Sequence, residues 1–74
     1  MTKATKIAAA LVNFAKVYRS YAEVIGVAGD INVAVQYATQ DMFNQVKNVN
    51  EITAIAIIED ETSYLQEVME RKAA

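Results

Sequence analysis

Three features of this chain predict an all-α fold built as a three-helix bundle. Proline is absent from its 74 residues and alanine is abundant, and alanine has the highest intrinsic helix propensity. The two glycines, Gly26 and Gly29, sit together and are followed by Asp30, the expected order for one helix stopping and another starting. Apolar residues recur at alternating spacings of three and four through most of the sequence, which places them on helix faces.

The first helix is predicted over about 3–27. Ile7, Leu11, Phe14, Tyr18, Tyr21, Ile25 and Ala28 follow one another at intervals of 4, 3, 4, 3, 4 and 3, a heptad seam. Ala8, Ala15 and Ala22 lie on one flank of that seam, and Ala10, Val17 and Val24 on the other. A two-stranded coiled coil carries charges at these flanks. An apolar arc this broad instead predicts a bundle helix with at least two neighbours.

The second helix is predicted over about 30–47, with Asp30 as its N-cap. Ile31, Val35, Ala38, Met42, Val46 and Val49 line one side of it. The segment 31–37 also alternates in the manner of a strand, with Ile31, Val33, Val35 and Tyr37 set against Asn32, Ala34 and Gln36. The third helix is predicted over about 51–72, capped by Asn48 or Asn50. Its opening, 52–58, again permits a strand. However, Ile55, Ile58, Thr62, Leu65 and Met69 carry the helical spacing straight through the acidic run. Early acids and the late Arg71 and Lys72 suit a helix dipole. An α+β fold with strands near 31–37 and 52–58 is thus the alternative to three helices.

A single domain of this size buries only about 60% of the surface of its extended chain, so it needs support. Cysteine and histidine are both absent, which excludes disulfides and removes the preferred zinc ligands. Oligomerisation is the remaining support. At 1.5 Å per residue the three helices would span about 38, 27 and 33 Å, so the short second helix leaves part of the first uncovered. A homodimer is therefore expected, with Leu11, Phe14, Tyr18, Tyr21 and Ile25 at the oligomer or partner interface. Phe14, Tyr18 and Tyr21 form the strongest aromatic cluster, and tyrosine is enriched in binding hot spots.

The same composition restricts chemistry. Without histidine or cysteine the usual nucleophile–base pairs cannot be assembled, and Ser20 and Ser63 have no base near them in sequence. Glu59, Asp60 and Glu61 form an acidic run that lacks the Glu-x-x-His of di-metal bundles and the order of an EF-hand loop. It reads as a solvated face, and neither metal nor cofactor is expected. The GVAG at 26–29 matches the GxxG that clamps nucleic-acid backbone, but no strand precedes it and no basic residue lies within it. It reads as a turn.

Charge is unevenly spread within a net −2. Residues 1–29 carry a balance of +3 and residues 51–74 one of −4, so the two ends attract each other within or between chains. Lys3, Lys6, Lys16 and Arg19 are the candidate nucleic-acid contacts, on the first helix and its lead-in. The most apolar stretch, 7–25, is interrupted by Asn13, Lys16, Arg19, Ser20 and Glu23, which argues against a membrane span. The early lysines and alanines lack a cleavage site, so they are not read as a signal peptide. The expectation is a small cytoplasmic, non-enzymatic interaction or regulatory module that self-associates and binds a protein partner. A small nucleic-acid-binding regulator is the alternative.

Overall fold

In the structure, a computed structural model describing residues 3–73 and the side chains of 5–72, the chain folds as three helices in a bundle. They are α1 (Lys3–Ile25), α2 (Ile31–Val46) and α3 (Glu51–Ala73). Both segments with strand-like patterning, 31–37 and 52–58, are helical. Tertiary burial explains this. Their apolar residues at spacings of three and four face the core, while Val33 and Tyr37, which a strand would align with Val35, point to solvent.

α1 ends two residues before the predicted boundary because Gly26, not Gly29, stops it. Gly26 adopts a left-handed φ of 73°, and the N–H groups of Gly26 and Val27 both donate to the Ala22 carbonyl at 3.1 Å. Ala28 consequently leaves the seam and lies exposed in the turn. Gly29 is also left-handed, with φ 86°, and turns the chain into the α2 cap. There Asp30 Oδ1 accepts from the Asn32 N–H at 2.8 Å. Of the two candidate caps for α3, the structure uses Asn50, whose Oδ1 accepts from the Thr53 N–H at 2.8 Å.

α1 is the hub. It packs along both α2 and α3, whereas α2 and α3 meet only sparingly. Phe14, Met42, Val46, Ala54, Ile58 and Leu65 form the buried core cluster. The predicted seams of α2 and α3 are the ones buried: Val35, Met42 and Val46 from α2, and Ile58, Thr62 and Leu65 from α3. Ala54 joins them one turn before Ile58, a position too small to stand out in the apolar pattern. Thr62 is only 5% exposed, and its hydroxyl donates to the Ile58 carbonyl at 2.7 Å, so its burial leaves no unmet polar group. Among the described residues no helix is long and apolar enough to cross a membrane.

A domain of this length has a stability of about 4–11 kcal/mol, at roughly 0.05–0.15 kcal/mol per residue. Replacing Ile58 with alanine is expected to cost about 2–5 kcal/mol, and Phe14 about 3–5 kcal/mol, as read by urea unfolding of the helical circular dichroism. The exposed Val12→Ala should stay within about 0.5 kcal/mol. At Gly26 a Cβ meets nothing within 4 Å, so Gly26→Ala isolates the left-handed backbone penalty. Its thermal unfolding should report a loss of about 1–2 kcal/mol.

Candidate functional site

The α1 seam divides between two environments. Phe14 is 3% exposed and belongs to the chain's own core, so it offers no surface to a partner in the folded monomer. Tyr18 and Tyr21 are half-buried, continuing an aromatic ladder with ring centroids 5.9 Å apart for Phe14–Tyr18 and 5.6 Å apart for Tyr18–Tyr21. Both pairs are tilted, a geometry worth about 0.5–1.5 kcal/mol per pair beyond area burial. Leu11 is half-buried, and Ile25, the last residue of α1, is exposed. Of the five residues expected at an interface, Leu11, Tyr18 and Tyr21 therefore sit at the margin of the core, with Phe14 inside it and Ile25 beyond it.

That margin opens into two grooves. The first separates α2 from α3. Tyr18 and Phe14 reach it from α1 beneath, Tyr37, Ala38 and Asp41 line its α2 side, and Glu61 lines the α3 side. It encloses about 440 Å³ and is open to solvent along its length. This groove follows from the sparse contact between α2 and α3: the two helices pack on α1 without closing over it. The second groove lies between α1 and α2, and encloses about 680 Å³. Its walls are Leu11, Val35, Gln36, Thr39, Gln40 and Phe43, with no charged side chain among them. Thr39 donates to the Val35 carbonyl at 2.7 Å, which keeps its hydroxyl turned into its own helix.

The basic residues do not converge. Lys6 points toward α3, 3.5 Å from the Glu51 carboxylate. Arg19 points toward α2 and donates to Asn32 Oδ1 at 2.6 Å. These are opposite flanks of α1, and Lys16 lies exposed between them on the outer face. The side chain of Lys3 lies outside the described residues. The Lys6–Glu51 pair joins the basic first third of the chain to its acidic last third, and it is intramolecular. Glu59, Asp60 and Glu61 are all exposed, and among the described residues no group of three or more acidic side chains is placed to hold a metal ion.

Sequence periodicity pointed to Tyr18 and Leu11 but not to Tyr37, Asp41, Phe43 or Glu61. Tyr37 and Asp41 are four apart on α2, so their common stripe could have been read from spacing alone. Glu61 joins them only through the tertiary fold. Compared with known proteins, the chain matches no family model, no curated protein and no solved structure.

The described structure gives the Tyr18 and Tyr21 hydroxyls no protein partner, and no buried side-chain polar atom is left unsatisfied, so both hydroxyls reach water. Tyr18→Phe and Tyr21→Phe are accordingly expected to change unfolding free energy by less than about 0.5 kcal/mol. Lys6→Ala and Arg19→Ala, which break exposed pairs, should each cost under about 1 kcal/mol in the same urea titration.

Proposed function

We propose that this protein is a small non-catalytic interaction module, which self-associates through the α1–α2 groove and captures a protein partner in the α2–α3 groove. The observation that carries this reading is the open α2–α3 seam. Three helices that closed fully around one core would bury the Tyr18 flank, yet here it floors a channel rimmed by Tyr37, which is 70% exposed. Laying an amphipathic helix into such a channel is a recurrent mode of protein recognition. A fourth helix there would complete a bundle. The channel's volume falls in the range of small-molecule sites, but its lack of enclosure suits a macromolecular surface better.

Self-association is assigned to the other groove on electrostatic grounds. A two-fold dimer presents the same patch from both subunits, so a patch carrying charge of one sign faces charge of the same sign. The α1–α2 groove carries none, and supplies Leu11 with Phe43, 43% exposed, as apolar contacts. Amides at Gln36 and Gln40 provide donors and acceptors that pair across such an axis. The proposal places the protein in the cytoplasm, in keeping with a chain that carries no cysteine.

Sedimentation velocity across a micromolar concentration series tests the self-association. A dimer that dissociates on dilution is expected, and Phe43→Ser should shift it to monomer while leaving the helical circular dichroism unchanged. A monomer at every concentration would remove the dimer from the proposal.

A further inference from the structure

We infer that the occupant of the α2–α3 groove is a cationic amphipathic helix, with an apolar stripe seated on Tyr18 and lysine or arginine residues at its edges. This rests on the proposed interaction function and specifies the chemistry of its partner. The groove combines two features. Its floor and inner wall are apolar where Tyr18 and Ala38 line them, resting on the buried Phe14 and Met42 beneath. Its two lips are acidic, with Asp41 on α2 and Glu61 on α3, both exposed. No lysine or arginine lines it, so these carboxylates face the channel without a cation of the same chain beside them. The surrounding helix reinforces the sign, since residues 51–74 carry a balance of −4.

A helix laid in the channel presents its apolar stripe to Tyr18 and its flanking positions to the two lips. Positive charge at those flanks is complementary on both sides at once, and long lysine or arginine stems also cover the exposed Tyr37 ring. Acidic flanks would meet Asp41 and Glu61 with like charge. The same argument disfavours a second copy docked groove to groove, because a two-fold contact would gather both carboxylates with their equivalents. The groove's chemistry is therefore matched to a foreign basic helix, while the uncharged α1–α2 groove is matched to self-contact.

The test uses the full chain and two synthetic probes, a Leu/Lys amphipathic peptide of about 18 residues, long enough to span α2, and its Leu/Glu counterpart. Anisotropy of the labelled Leu/Lys peptide should report binding that weakens with added salt, with the Tyr18 and Tyr37 ring resonances shifting on titration. Asp41→Asn combined with Glu61→Gln should weaken that binding by about tenfold. Glu59→Gln combined with Asp60→Asn removes the same charge from α3 at positions that do not line this groove and should leave affinity within about twofold. Both double variants alter exposed residues, and unchanged helical circular dichroism verifies that each folds. Equal weakening by the two pairs would overturn the inference, since attraction would then be general to an acidic protein. Equal affinity for the Leu/Glu peptide would overturn the charge assignment while leaving the groove as a binding site. If neither peptide binds and the Tyr37 resonance instead follows protein concentration, the occupant is a second copy and the inference fails.

Discussion

Everything in this small protein depends on the central position of α1, which must serve as packing partner to two helices that hardly serve each other. Its apolar arc is wide enough to do this. The flank carrying Ala10 and Val17 is directed at α3, as the shared Ala10, Asn13, Ile55 and Thr62 surface indicates. Ala15 and Ala22 lie about one and three turns beyond Leu11, on the flank directed at α2. Ala22 is fully buried, and its small side chain permits the α2 end of the bundle to approach closely. The geometry that makes α1 a hub also leaves α2 and α3 apart over its midline.

That separation has consequences for stability and for surface chemistry alike. A bundle in which two of three helices scarcely touch buries less apolar area than one closed on all sides, which matters in a chain already near the lower size limit. Several large apolar side chains stay exposed, among them Tyr37, Phe43, Tyr64 and Ile52, the last at 83%. Tyr37 and Phe43 border grooves on opposite sides of α2. The helix thus borders two surfaces, one neutral and one edged by carboxylates.

The polar interactions, by contrast, organise termini more than they hold the core. Asp30 and Asn50 cap α2 and α3, and the left-handed Gly26 closes α1. Lys6 with Glu51 and Arg19 with Asn32 tie α1 to the first turns of its two neighbours. Each is exposed and individually weak, but each also removes a cation from the outer surface of α1 and turns it to an opposite flank. A basic stripe visible along the sequence is thereby dispersed in space.

The sequence by itself determined the helical faces that enter the core from α2 and α3, the glycine stop of α1 and the Asp30 cap of α2, and that histidine- or cysteine-based chemistry is unavailable, while leaving 31–37 and 52–58 open to a strand. Those properties are local. Spacings of three and four define a face, glycine permits a positive φ, and a carboxylate or amide before a helix meets its free N–H groups. Tertiary structure decided the rest, because periodicity names a face without naming the neighbour that covers it. Only the packed bundle separates Phe14, inside the core, from Tyr18, on the floor of a groove, although both occupy the same seam. Only there does Glu61 come to stand opposite Asp41. Neither distinction exists until helix crossing and loop geometry set how far α2 and α3 stand apart.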